Sequence, residues 1–274
     1  MWLSLVERSV RDREVVGSNP AIPTIRTLTA GRPWRPAVRL SGRCALLQGF
    51  LHWLGYGLCH QLPERSFFGG GVQLPVCARD TGIYIGFCVS LVLIALLHRP
   101  ERPREFPTAW GWTAFVLLLG SMAVDGGTEY AGLRTTTNDL RLITGLASGY
   151  AISMLLVPML NDSVWQHADT RRVLDPAWRL GVWLATLPVV YVATWFGGPL
   201  LGVGYPVLVA IAILTTLTCV NMVVVCLTPW FDRKANRLRD VWPAALVGLV
   251  LTFGEAWLAG LLRTAVVALT ARIS

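Results

Sequence analysis

Two short stretches of an otherwise apolar chain hold most of the residues that could do chemistry: CHQLPERSFFGGGVQLPVCARD (residues 59–80) and DGGTEYAGLRTTTNDLR (residues 125–141). Cys59, His60 and Cys77 are metal-ligand types. Two thiolates and an imidazole suit zinc or copper, with Glu64, Asp125 or water completing a tetrahedron. Adjacent Cys and His is not a recognised zinc spacing, however. Two cysteines closing a loop of this size on an oxidising face commonly pair, so a Cys59–Cys77 disulfide is the alternative, adding about 3 kcal/mol in the chain-entropy account. Arg65, Arg79, Asp125 and Arg141 are the candidate catalytic residues, with Arg134 at the same depth. Asp125 follows an apolar run at a helix end, where the macrodipole opposes its charge, so an arginine should compensate it. Arg65 and Arg79, from the other stretch, are the best placed. The triple glycine, Gly69 to Gly71, can bring backbone N–H groups near a small anion or a lipid head group. It lacks a Walker spacing, which argues against a nucleotide.

The elements that position these residues are membrane helices. The chain is 54% hydrophobic and 15% charged, with a mean hydropathy of +0.53, and carries several runs near the roughly 20 residues that a helix needs to cross a bilayer. Apolar segments at about 44–58, 80–98, 109–125, 142–160, 179–197, 203–228 and 242–262 give seven candidate spans. The first is the weakest, because it is short and carries Gln48 and His52. The fold class is therefore all-α, a polytopic transmembrane bundle of about seven spans.

The net charge of +8 reads as topology, not as a nucleic-acid surface, because the basic residues cluster in short loops. Arg26, Arg32, Arg35, Arg39 and Arg43 precede span one. Arg99, Arg102 and Arg104 follow span two, Arg171, Arg172 and Arg179 follow span four, and Arg233, Lys234, Arg237 and Arg239 follow span six. Every alternate loop is basic, so the positive-inside rule predicts a multi-pass protein of the cell membrane with a cytoplasmic N-terminus and an external C-terminus. Residues 59–79 and 125–141 then share the external face.

The motifs CHQLPERSF, CARDTGIYIG and the DG…NDLRLITGLASGY segment resemble the prokaryotic membrane proteins grouped as domain of unknown function 2085. The resemblance covers residues 50 to about 155 and rests on Cys59, His60, Pro63, Arg65, Ser66, Cys77, Arg79, Gly82, Tyr84, Asp125, Gly126, Asn138, Arg141 and Gly145. It implies a membrane protein and brings no established activity. The chain accordingly divides into an N-terminal arm (1–40), a four-span core (41–160) and a three-span C-terminal extension (161–274). The arm reads as disordered. For residues 1 to about 25 a second reading is a start-site artefact, since Gly17, Ser18, Asn19 and Pro20 are what the frame GGT-TCG-AAT-CC gives, a string resembling the T-arm of a transfer RNA gene.

Other residues have blander readings. Thr137, Asn138 and Asp139 are of the types that cap span four, and Asp80 does the same for span two. Gly145 and Gly149 form a small-residue pair for close helix packing. Cys44, Cys88, Cys219 and Cys226 behave as small apolar side chains. Glu255, an acid inside a span, suggests a proton or ion-coupling group, with Arg263 too far along the helix for a one- or two-turn pair. Two function classes follow. One is a metal-binding or redox enzyme with an external Cys/His/Arg/Asp site, and the other is a non-catalytic transporter or assembly component stapled by the disulfide.

Overall fold

The computed structural model describes residues 42–273, and the side chains of 45–270 among them. The arm at 1–40, its start-site reading and Cys44 lie outside what is described. Among the described residues seven long helices follow one another: α1 (Gly42–Tyr56), α2 (Ala78–Leu97), α3 (Ala109–Tyr130), α4 (Asn138–Val164), α5 (Ala177–Val192), α6 (Gly204–Cys226) and α7 (Trp242–Ile273). Six of them, α2 to α7, are long and apolar enough to cross a membrane. The protein is a multi-pass all-α membrane bundle. The exception is α1, the weakest of the seven expected spans: its 15 residues rise about 22 Å, short of a hydrocarbon core of about 30 Å.

Local sequence sets the helix limits. Cys77, extended, is the N-cap of α2, so Asp80 is not the cap that its residue type suggests but the third residue inside, where the helix dipole favours a carboxylate. Thr137 caps α4, its hydroxyl accepting from the Leu140 N–H at 3.3 Å. α3 continues five residues past Asp125 to Tyr130, so Asp125 lies inside the helix and not at its end. α5 begins after Pro176 and runs on through one π turn, Ala193–Gly197.

The centre of the bundle is α2 against α4. Cβ atoms built at Gly82, Gly86, Gly145 and Gly149 would all lie within 2.8 Å of backbone atoms of the facing helix. Two glycine pairs one turn apart thus bring the two backbones into contact, a packing device common in membranes, where no hydrophobic driving force joins helices. Of these, only Gly145 and Gly149 read as a packing pair in the sequence. α6 packs on α2 and α4, and α7 on α6.

The loops fall at two ends. At one, strand β1 (Phe68–Gly69) pairs with β2 (Val72–Gln73), and the intervening Gly70 and Gly71 both have positive φ, +57° and +79°. Two successive positive φ angles make the two-residue turn that suits a hairpin, which is why glycine fills both positions. The triple glycine is therefore an ordered turn, seated against Gly202 and Val203 at the α5–α6 connection. At the other end, β3 (Pro103–Glu105) pairs in parallel with β4 (Asp169–Arg172), and Trp165 bridges to Ala235. Those contacts join the three basic loops. The exposed tryptophans Trp110, Trp112, Trp178, Trp230 and Trp242 also lie at this end, as expected of side chains anchored at a membrane–water interface.

Candidate functional site

At the hairpin end, α2, α3 and α4 bring two carboxylates and four guanidiniums together. Asp125 is 1% exposed. Its Oδ2 accepts from Arg79 Nη2 at 2.6 Å and its Oδ1 from Arg134 Nη2 at 2.7 Å, with the hydroxyls of Thr136 and Thr144 adding bonds of 3.1 and 3.4 Å. One turn further along α3, Glu129 accepts from Arg79 at 3.1 Å and from Arg141, and Arg65 lies 3.4 Å away. Arg79 thus bridges both carboxylates. Arg65, the other arginine expected for Asp125, meets Glu129 instead. Arg134, at the same depth in the sequence but not preferred there, is the second partner of Asp125, and Glu129 was not singled out, yet the spacing of Asp125 and Glu129, four residues apart on a helix, puts both on one face.

Asn138 ties this cluster to the first loop. Its amide donates to the Glu64 carbonyl at 3.0 Å while its oxygen accepts from Arg141 at 3.0 Å. Asp139 turns the other way and accepts from the Tyr191 hydroxyl. With both oxygens of Asp125 saturated by cations and hydroxyls, this carboxylate has no lone pair directed at a free proton, so its geometry is that of a lock. Arg65 and Arg134 form the open rim, their side chains 47% and 39% exposed. The Nε of Arg79 is buried and has no hydrogen-bond partner among the described residues.

A second cluster lies on the other side of the first turn of α2. The ligand atoms of Cys59, Cys77 and Asp80 all lie within 4.8 Å of one another. Cys77 Sγ is 3.2 Å from Asp80 Oδ2, and the Cys77 backbone N–H donates to Cys59 Sγ at 3.3 Å. The two sulfurs are not bonded to each other in this structure. The hydrogen bond from the Cys77 thiol makes Cys59 more acidic than an ordinary thiol, against the opposing effects of burial and Asp80. The same bond, then burial and Asp80, pushes the Cys77 thiol far up. His60 is exposed and outside this group. Asp80 takes the third position that the sequence suggested for the histidine.

Cys59 is held from two directions. Gln61, with φ +55°, reaches back to the carbonyls of His52 and Pro75 at 3.0 and 2.8 Å, fixing the turn after α1. Arg263, from α7, donates to the Cys59 carbonyl at 2.7 Å and to that of Tyr56, its guanidinium lying over the Tyr56 ring. It caps the C-terminus of α1, where a cation is favoured. This reach across the bundle from a residue 204 positions away had no signal in the sequence.

The family model described as predicted membrane protein, DUF2085, matches residues 59–155. An uncharacterized protein of Methanocaldococcus jannaschii is 35% identical over 109 residues, covering 40% of this chain and 67% of that protein. Another, from Methanothermobacter thermautotrophicus, is 35% identical over 98 residues, covering 36% of this chain and 83% of that protein. No solved structure matches the chain. The matched stretch carries both clusters, from Cys59 to Arg141, and with more than two thirds of the second relative and two thirds of the first covered at 35% identity, the chain belongs to the predicted membrane protein family DUF2085.

Proposed function

We propose that the protein is a metal-binding membrane protein whose Cys59, Cys77 and Asp80 hold a zinc ion on the external face, with the neighbouring arginine rim receiving an anionic ligand. The observation that carries the reading is the convergence of three ligand atoms within 4.8 Å. Two thiolates alone would suit copper(I) as well, but a carboxylate beside them favours zinc, the harder ion. Three protein donors leave one tetrahedral position for water or an exogenous ligand. When bound, zinc would supply a Lewis-acidic centre there. Cys59, the more acidic thiol, is the first ligand to ionise, and Cys77 keeps its proton between the Cys59 sulfur and Asp80 until metal replaces it.

The arginine rim favours a small anion or a lipid phosphate for two reasons. Four guanidiniums face two carboxylates, an excess of positive charge at head-group depth, and the buried Arg79 Nε has no acceptor among the described residues. The saturation of Asp125 argues for binding over catalysis by Arg65, Arg79, Asp125 and Arg141. Orientation enters the same reading. The basic loops gather at one end, which the positive-inside rule makes cytoplasmic, with both clusters outside; a cytoplasmic N-terminus would further require that the chain cross once before α2. A Cys59–Cys77 disulfide is the second reading, favoured by the proximity of the two sulfurs.

Metal content of detergent-purified protein, beside a thiol count with and without reductant, separates the two. The zinc reading expects one equivalent of zinc, lost in Cys77→Ala and weakened in Asp80→Asn. In metal-stripped protein it expects alkylation of Cys59 well ahead of Cys77. Metal-free protein in which neither cysteine reacts until reductant is added would establish the staple and overturn the metal site. For the rim, Arg65→Gln with Arg134→Gln should lower retention of phosphatidylglycerol, or of inorganic phosphate if free anion is the ligand. Unchanged retention of both removes the anion from the reading.

A further inference from the structure

Glu255 lies thirteen residues into α7, about 20 Å along the helix axis from Trp242. Most of the surface of this helix is turned away from the rest of the chain, and the Glu255 side chain is exposed. In a spanning helix that exposure is to hydrocarbon, where an ionisable side chain is costly and needs a partner. The group that the fold supplies is the amide of Asn221, on α6. Asn221 is buried, and its Nδ2 donates to Glu255 Oε2 at 2.9 Å and to Thr252 Oγ1 at 3.1 Å. Thr252, fully buried, lies 3.5 Å from the Thr218 hydroxyl. A seam of hydroxyls, amide and carboxyl therefore runs between α6 and α7 and ends at the lipid surface.

Among the described residues no cation reaches this carboxyl. Arg263, eight residues further along α7, is occupied by the carbonyls of Tyr56 and Cys59. His52, on the α1 helix that packs against α7, has its ring against Tyr56. One oxygen of Glu255 is satisfied by an amide, and the second accepts no hydrogen bond from the described residues. A single positive charge is what this arrangement lacks.

We propose that Glu255 is a monovalent-cation site within the bilayer, taking a proton or a sodium ion at its carboxyl, with Asn221 and Thr252 fixing the geometry from the α6–α7 seam. Hydrocarbon forms the outer wall, so the site exchanges its ion only when α6 and α7 part or when another surface covers it. It lies outside residues 59–155 and belongs to the C-terminal part of this chain. It is independent of the zinc reading, because neither site shares a ligand with the other.

The test uses a lipid-soluble carbodiimide, which modifies a carboxylic acid within the bilayer. In sodium-free vesicles of the full chain at neutral pH, the peptide containing Glu255 should gain one adduct, and Glu255→Gln should lose it. Protection by excess sodium would identify that ion as the competing ligand, and Asn221→Leu should then abolish the protection; labelling indifferent to sodium would identify the proton. Either result supports the site. Failure of the native protein to label, while the same peptide labels after unfolding, would overturn it, as would modification only by a water-soluble carbodiimide.

Discussion

Both ends of the bundle carry arginine–carboxylate networks with similar distances, and they differ in how much water reaches them. At the hairpin end, Arg79 and Arg134 lie 2.6 and 2.7 Å from an Asp125 that is 1% exposed. At the basic end, Arg171 lies 2.7 Å from Glu101 and Arg233 reaches both oxygens of Asp162 at 3.0 and 3.1 Å, but these two arginines are more than half exposed. Distance alone does not rank these bonds. An exposed pair gains about 0–1 kcal/mol because solvent screens it and two long side chains must be ordered. Removing one partner of a buried pair leaves an uncompensated charge, a far larger loss.

The comparison is broken most directly at Asp125. Asp125→Asn keeps the shape and removes the charge that holds Arg79 and Arg134, and should cost about 3–5 kcal/mol of stability in one detergent. A double-mutant cycle with Arg79→Gln should show strong coupling, since the two side chains are in contact. Additive losses would mean that the hairpin-end network is no stronger than the exposed one. A parallel cycle of Asp125 with Arg65 should be closer to additive, because Arg65 faces Glu129.

A smaller effect tests the one buried member of the basic end. His98, the C-cap residue of α2, is 1% exposed; its Nε2 accepts from the Leu174 N–H at 2.9 Å and its Nδ1 lies 2.9 Å from Arg179. Burial, then the Arg179 charge, lowers its pKa, with Glu101 opposing and Arg171 adding slightly to the fall. The unfolded chain therefore takes up the proton first as pH drops. Stability should be full above the ordinary imidazole value of 6.5 and fall as pH decreases from there toward the depressed folded value. Thermal unfolding across that window should lose its slope in His98→Gln. An unchanged slope would place the acid sensitivity elsewhere.

Hydropathy made the spans legible, and loop charge made legible which connections share an end, because both are sums over many residues. What stayed hidden depends on single contacts. α3 runs past Asp125 because Asp125 and Glu129, one turn apart, are neutralised by arginines from α2, α4 and the α3–α4 connection. A hydropathy profile sees only two charges and ends the span early. His60 follows Cys59 directly, yet it is Asp80, three residues after Cys77 on α2, whose oxygen faces the two sulfurs. In a turn, consecutive side chains diverge, whereas positions three apart at a helix start share a face. Arg263 could not be placed without knowing that α7 packs against the end of α1.

The smallest expected effect completes the comparison. Asp162→Asn removes the charge that faces Arg233 and the more distant Arg104, at 3.9 Å, on a side chain 43% exposed. Water can replace the lost charge on every group involved, so the change should cost no more than about 1 kcal/mol. The Arg233 Nε bond to the Asp162 backbone carbonyl, 3.1 Å, survives the substitution and keeps the loop in place. The loss should also shrink as salt is raised, since an exposed pair is screened, whereas the loss in Asp125→Asn should hardly change. Measuring both variants at low and high ionic strength therefore separates the two ends by solvent access alone. Equal salt sensitivity would show that water enters the Asp125 cluster as freely as it reaches Asp162.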